Sequence, residues 1–246
     1  MLIKDRAYRR LFQMDHLVSF RVTVKETDLF IQAGRPLEDV AREAILKHRG
    51  YLESWITRDP DFLTALSPRT ISGPCPKIVR EMADAGEKAG VGPMAAVAGA
   101  IAEQVGWDLL DHSDETIVEN GGDLFLKLKG RFTAGIFAGK SQLSLKVGIE
   151  IDTGGKPIAV CTSSGTIGHS MSMGKADAVC VVSASCPLAD AAATAIGNRV
   201  QAASDVQNAI DFGNQIPGIK GIVVIVGDRI GMWGDIRVVP FKEKRG

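Results

Sequence analysis

Two periodicities of apolar residues alternate along the first part of the chain. Residues 17–33 alternate apolar and polar positions around residues 26–28, which predicts a β-hairpin. Apolar residues then recur at helical spacing over residues 37–58, which predicts a long amphipathic helix. Residues 59–76 contain four prolines and are expected to form a loop.

Two further helices are predicted after this loop. Pro76 suits the first turn of a helix that runs to about Ala89. Pro93 can open the next helix, which continues over residues 94–106 and is rich in alanine and glycine. Because its side chains are small, we expect this helix to lie very close to another backbone or to a ligand.

From Glu115 onward the pattern becomes mostly β. Strands are predicted at residues 115–119, 123–128, 134–137, 143–151, 157–160, 177–184, 221–226 and 235–241. An alanine-rich helix is expected from Pro187 to about Ala203, and a short helix over Ser204–Phe212. Mostly antiparallel strands with helices on one side define an α+β fold. We find no linker, repeat or low-complexity tract, so a single domain over residues 1–246 is expected.

Composition and charge narrow the function classes. Apolar residues make up 45% of the chain, and Lys+Arg and Asp+Glu are equal at 29 each. This balance lacks the basic field of a nucleic-acid-binding protein. No apolar run reaches the ~20 residues of a membrane span, and the charged N-terminus lacks the apolar segment of a signal peptide. We therefore expect a cytoplasmic protein without membrane or nucleic-acid partners, with its four cysteines reduced.

A polar turn separates two of the predicted strands. It consists of Asn120, Gly121, Gly122 and Asp123. The glycines are typical of a tight hairpin turn. They would equally allow a ligand to approach the backbone, with Asn120 or Asp123 binding its polar edge.

A second polar cluster follows a predicted strand. It consists of Thr162, Ser163, Ser164 and Gly165. Such residues form ordinary polar turns, and they also form concave arrays of backbone donors around phosphate oxygens. His169 lies four residues later between Gly168 and Ser170, rather than among apolar core residues. Its role stays open between a structural histidine and an acid, base or ligand contact.

Asp190 and Thr194 are four residues apart on the alanine-rich helix and therefore share a face. One interpretation is structural, with Asp190 favoured by the helix dipole and Thr194 bonded back to the chain. The other is an Mg²⁺ site made of one carboxylate, one hydroxyl, a carbonyl and phosphate oxygens of a ligand. Both interpretations fit the spacing.

Taken together and in this order, these segments resemble the ApbE-like family, whose best-known members are FAD:protein FMN transferases. Residues 120–123 look like the family's Asn-x-Gly-Gly-Asp turn. Residues 162–165 and His169 look like its Thr-Ser-Gly and His segments. Residues 189–195 look like its Ala-Asp-Ala-x-x-Thr-Ala helix. Residues 99–102 show a fainter similarity to its Gly-x-Ile-Ala-Lys-Gly segment.

The resemblance implies a T-fold-like, ApbE-type architecture, an FAD site and Mg²⁺ held by Asp190 and Thr194. It further implies that Mg²⁺ polarises the FAD pyrophosphate while a threonine hydroxyl of a target protein attacks it and AMP leaves. Phosphate contacts are then expected from residues 162–165, pocket-lining residues from 120–123, and an acid/base or ligand contact from His169. A homo-oligomer is also in keeping with the resemblance.

Two positions depart from the family pattern. His169 is followed by Ser-Met-Ser-Met rather than by Ile-Ile-Asp-Pro, and Glu103 stands where the family usually has lysine. Three hypotheses therefore remain: an Mg²⁺-dependent flavin or nucleotidyl transferase or hydrolase, a protein that binds a flavin or nucleotide without turnover, and a structural or oligomeric role.

Overall fold

Two antiparallel sheets and one layer of helices make up the part of the chain that the structure describes, residues 13–164 and 174–241 of a computed structural model. The strands are β1 Val18–Val24, β2 Thr27–Ala33, β3 Thr116–Asn120, β4 Asp123–Lys127, β5 Arg131–Gly135, β6 Val147–Asp152, β7 Ile158–Ser163, β8 Ala178–Ser183, β9 Ile219–Val226, β10 Arg229–Gly234 and β11 Arg237–Pro240. The large sheet has eight strands in the order β1-β2-β3-β4-β7-β8-β9-β10, and the small sheet has the order β11-β6-β5.

All of the described helices contribute side chains to one hydrophobic core, which lies against one face of the large sheet. They are α1 Glu38–Arg58, α2 Asp61–Thr64, α3 Lys77–Ala89, α4 Val97–Leu110, α5 Cys186–Gly197 and α6 Val206–Asn214, with a 3₁₀ turn over Pro93–Ala96 before α4. The predicted α+β fold with helices on one side is therefore confirmed. No helix among these residues has the length and apolar character needed to cross a membrane.

The sequence of the central strand β8 is an almost uninterrupted apolar run because both faces of the strand are buried. Val179 and Val181 point into the core under the helices, whereas Cys180 and Val182 point into a second core between the two sheets. Both faces of the strand are thus buried, and alternation of apolar and polar residues disappears. The small sheet covers the side of the large sheet that the helices leave open.

Several of the predicted boundaries are wrong. Helix α5 ends at Gly197 rather than near Ala203, because 3₁₀-type bonds from Arg199 to Ile196 and from Val200 to Gly197 close its last turn. The loop expected over residues 59–76 contains the short helix α2. Strand β10 was missed, since two glycines and exposed side chains weaken its pattern.

Candidate functional site

The turn between β3 and β4 forms the first part of the candidate site. Asn120 and Asp123 are the last paired residues of the two strands, so Gly121 and Gly122 make a two-residue hairpin turn, as the hairpin interpretation predicted. Gly121 has φ +73°, a left-handed conformation that favours glycine. A Cβ on Gly122 would lie 2.7 Å from the carbonyl oxygen of Thr162, so glycine there lets β7 pack closely against the turn.

Two polar side chains, that of Asn120 from the turn and that of Asp190 from α5, form hydrogen bonds with the first turn of α4. The amide of Asn120 donates to the carbonyl oxygen of Ala98 at 3.0 Å, and the backbone N–H of Gly99 donates to Oδ2 of Asp190 at 2.9 Å. The turn, the first turn of α4 and helix α5 are thereby brought together. The structure thus brings together the predicted turn and the predicted Asp190 segment, and the third segment reaches the turn through Thr162.

Gly99 makes this meeting possible. A Cβ at this position would lie 2.5 Å from the carbonyl oxygen of Cys186 and 2.9 Å from Cβ of Asp190. Both distances are too short for a real side chain, so only glycine fits between α4 and α5. The prediction that this small-residue helix lies close to another backbone is confirmed.

Two carboxyl groups share this region, the buried Asp123 and the half-buried Asp190. Burial raises the pKa of Asp123 well above its ordinary value, and the negative charge of Asp190 raises it further. Hydrogen bonds from the Cys161 thiol and the Thr162 backbone oppose this rise only in part. Burial also raises the pKa of Asp190 to about 7, against the N–H groups of Gly99 and Ala98, which favour the ionised form. A proton or a cation between the two groups would relieve their repulsion.

The residues of the second polar cluster face different ways. Ser163 is 6% exposed, and its hydroxyl has no hydrogen-bond partner among the described residues. It follows the core residue Cys161 by two positions, so it points toward the helices. Thr162 points to the opposite face, where its hydroxyl lies 3.2 Å from Sγ of Cys180 and its N–H donates to Gly122. Ser164 ends this described stretch, and Gly165 and His169 lie outside the described residues.

Thr194 lies one helical turn after Asp190 on α5 and is buried, with 7% of its surface exposed. In the described parts of the chain, no three His, Cys, Asp or Glu side chains form a metal-binding group. A cation at this site would therefore be coordinated by one or two carboxylates, a hydroxyl and oxygen atoms of a bound small molecule. Hard oxygen donors in small number suit Mg²⁺, which usually keeps several oxygens from substrate and water.

Comparison with known proteins fixes the family. A family model described as "AbpE bacteria" matches residues 9–237. The chain belongs to this family. A UPF0280 protein of Methanocaldococcus jannaschii is 41% identical over 231 residues, which is 92% of this chain and 94% of that protein. A UPF0280 protein of Methanocella arvoryzae is 41% identical over 212 residues, or 86% of each chain.

Solved structures support the same family by fold. The apo flavinyl transferase ApbE of Pseudomonas stutzeri matches with a TM-score of 0.58 at 16% identity, over 88% of this chain and 93% of that one. The ApbE protein of Thermotoga maritima matches with a TM-score of 0.53 at 14% identity, over 87% and 96%. At such identities the likeness shows an ApbE-type fold. The resemblance to the ApbE-like family is confirmed.

Glu103, which stands where the family usually has lysine, forms a hydrogen bond between helices α4 and α5. Its Oε2 accepts a hydrogen bond from the backbone N–H of Cys186 at 2.6 Å. Burial raises the pKa of Glu103, while the bond from Cys186 favours the ionised form. In the sequence, this residue stands out only as a departure from lysine. Its partner is 83 residues away along the chain, and no local pattern could have revealed it.

Proposed function

We propose that this protein binds FAD or a related dinucleotide together with Mg²⁺ and transfers a flavin or nucleotidyl group at the pyrophosphate. The binding region lies where the β3–β4 turn, the end of β7 and helix α5 meet. The P. stutzeri relative by fold is a flavinyl transferase, which supports a flavin-related activity for this chain. We infer that Asp190 and Thr194 hold the cation.

The meeting of the β3–β4 turn with Asp190 of α5 at the first turn of α4 carries this proposal. Asp123 is buried and Asp190 is half-buried, and each has a pKa above its ordinary value. Keeping two such groups together is costly in the absence of a proton or cation. Mg²⁺ would neutralise them and, when bound, would stabilise charge that develops on the pyrophosphate oxygens.

The buried hydroxyl of Ser163, which has no hydrogen-bond partner among the described residues, supports a ligand on the helix side of the large sheet. A buried polar group without a partner costs free energy, so its persistence is explained if a ligand oxygen completes its bonding. We therefore propose Ser163 and Ser164 as phosphate contacts, while Thr162, whose N–H donates to Gly122, supports the turn. Asn120, Gly121, Gly122 and Asp123 would line the pocket.

The sequence-based proposals for Gly165 and His169 complete this site. Gly165 would extend the phosphate contacts, and His169 would act as an acid, a base or a ligand contact. The partners that we propose are a small-molecule flavin or nucleotide and, for transfer, a protein acceptor. A cytoplasmic location and a homo-oligomeric state are part of the same proposal. The four cysteines are free in the structure.

A second candidate is flavin or nucleotide binding without turnover. One observation favours it: Oδ2 of Asp190 already accepts the N–H of Gly99, so part of the carboxylate is used to hold α4. The departure after His169 points the same way. A purely structural role for α4 and α5 would leave the Ser163 hydroxyl without an explanation.

Calorimetric titration of FAD, with and without Mg²⁺, tests the proposal on the wild type and on Asp190→Asn. The amide keeps an acceptor for Gly99 and removes the charge, so it separates helix capping from cation binding. We expect Mg²⁺-dependent FAD binding in the wild type and a loss of at least about tenfold in affinity in Asp190→Asn, since hydrogen bonds and ion contacts to a carboxylate are worth ~1.5–3 kcal/mol.

Asp205→Ala is the matched control, because Asp205 accepts two backbone N–H bonds at 2.9 Å outside the proposed site. It should leave FAD affinity unchanged. AMP release on addition of a threonine-containing acceptor peptide would favour transfer, whereas bound FAD that stays intact would favour the second candidate. Wild-type protein that binds no FAD in either condition contradicts both.

A further inference from the structure

Every backbone N–H group in the first turn of α5 has a hydrogen-bond acceptor, and one of these acceptors belongs to another helix. The N–H of Leu188 donates to the Ser185 hydroxyl at 3.4 Å, and that of Ala189 donates to the Ser185 carbonyl at 3.0 Å. Pro187 has no N–H. The remaining donor, the N–H of Cys186, donates to Glu103 of α4 at 2.6 Å. Glu103 thus completes a cap that Ser185 alone leaves unfinished.

Helix α4 is capped by α5 in return. Its Gly99 N–H donates to Asp190 of α5 at 2.9 Å. Each helix therefore places one carboxylate at the N-terminus of the other, where the helix dipole favours negative charge. We call Glu103 and Asp190, with their acceptor bonds to Cys186 and Gly99, the reciprocal caps.

The reciprocal caps leave little room for α4 and α5 to move independently. Asp190 lies four residues after Cys186, so it sits one helical turn above the backbone group that Glu103 holds. At Gly99 the two helices are so close that a Cβ would overlap the Cys186 carbonyl. A shift of the first turn of α5 would therefore move the Asp190 carboxylate relative to Gly99.

We infer that Glu103 is a positioning residue for Asp190, acting through the first turn of α5. It holds Cys186, and thereby sets where the Asp190 carboxylate stands at the N-terminus of α4. The inference about the helices stands on their geometry alone; its consequence for ligand binding rests on the proposed function, in which Asp190 holds the cation.

Hydrogen exchange at the Gly99 amide tests the inference without any ligand. In Glu103→Leu, which keeps bulk but has no acceptor, we expect the Gly99 amide to exchange at least about fivefold faster relative to other amides of the large sheet, the equivalent of one lost cap. Glu103→Gln retains an acceptor oxygen and should keep exchange close to that of the wild type. Should Glu103→Leu fail to fold, Glu103→Asp, which shortens the reach by one methylene, replaces it.

Asp205→Ala again serves as the control, because it removes a carboxylate that accepts two backbone N–H bonds outside α4 and α5. Unchanged exchange at Gly99 in Glu103→Leu, or a rise no larger than the one in Asp205→Ala, overturns the inference. A second measurement addresses the consequence for binding: Mg²⁺-dependent FAD affinity should fall in Glu103→Leu and recover in Glu103→Gln. Wild-type protein without FAD affinity would remove the proposed function, while the Gly99 exchange would still decide the positioning role.

Discussion

Thr162 and Ser163 are neighbours on β7 with opposite environments. The Thr162 hydroxyl meets Cys180 between the two sheets, whereas the Ser163 hydroxyl lies buried on the helix side without a partner among the described residues. The composition of the cluster predicts a polar site, but only strand geometry tells which hydroxyl faces it. For a ligand on the helix side, Ser163 is the informative residue.

Ser163→Ala should cost little stability, because it removes a buried hydroxyl that has no bond to lose. We expect a free energy of unfolding within about 0.5 kcal/mol of the wild type or higher, together with weaker FAD binding. Denaturant unfolding and calorimetric titration measure the two quantities.

Ser183→Ala is the matched control in the same sheet. The Ser183 hydroxyl donates to the Gly218 carbonyl at 2.9 Å and accepts from the Ser185 N–H at 3.1 Å. Its loss should lower the free energy of unfolding by about 1–3 kcal/mol, since two backbone groups lose a partner. Equal losses in the two variants would show that the Ser163 hydroxyl is bonded in solution.

Helices α4 and α5 act as a pair whose spacing is set by small residues. The backbone contact at Gly99 and the reciprocal caps both require this spacing. A second glycine of α4, Gly106, leaves room for the ring of Phe125 from the large sheet. The helix pair and the sheet therefore hold the proposed cation ligands at a fixed distance from the β3–β4 turn.

Gly99→Ala should destabilise the protein, although alanine is the better helix former. The added Cβ meets backbone and Cβ atoms that cannot turn away, so we expect a loss of about 1–3 kcal/mol in the free energy of unfolding. Gly50→Ala is the control: Gly50 lies in α1 with no atom within 4 Å of the added Cβ, and should gain up to about 1 kcal/mol. Changes of the same sign in denaturant unfolding would contradict close packing at Gly99.

At the scale of the whole molecule, a buried histidine links the long helix α1 to α4. Nε2 of His48 lies 2.9 Å from Oδ2 of Asp108. Burial lowers the pKa of His48, and the hydrogen bond and charge of Asp108 oppose this lowering without overcoming it. In the unfolded chain His48 returns to a pKa near 6.5 and binds a proton more readily.

The contribution of His48 to the free energy of unfolding should therefore fall as the pH drops through about 6.5 toward the lower pKa of folded His48, whereas Asp123 and Asp190, whose pKa values are raised in the folded protein, contribute in the opposite sense. In that window the unfolded state binds more protons, so the free energy of unfolding decreases with falling pH, by at most about 1.4 kcal/mol per pH unit for this group. His48→Gln keeps a donor for Asp108 but does not titrate. In denaturant unfolding between pH 7.5 and 5.5, the free energy of unfolding of the wild type should fall relative to that of the variant as the pH drops; a difference that does not change with pH would refute this role for His48.

Local periodicity predicted most elements because it depends on neighbours in sequence. The β1–β2 hairpin and helices α1 and α3 follow directly from it. The division into two sheets does not, since the partners of β6 are β5 and the distant β11. The polar segments of the candidate site were recognisable from composition and resemblance, whereas the place of Glu103 depended on a tertiary bond.

The reciprocal caps also bear on how the chain matures during synthesis. Asp190 is 91 residues beyond Gly99, and Cys186 is 83 residues beyond Glu103. Helix α4 therefore leaves the ribosome long before its capping carboxylate exists. Such distant contacts form late, because the intervening chain must first be closed into a loop. A nascent chain that stops before residue 190 would carry α4 with its first turn still solvated, and the proposed binding region could be completed only after α5 has been made.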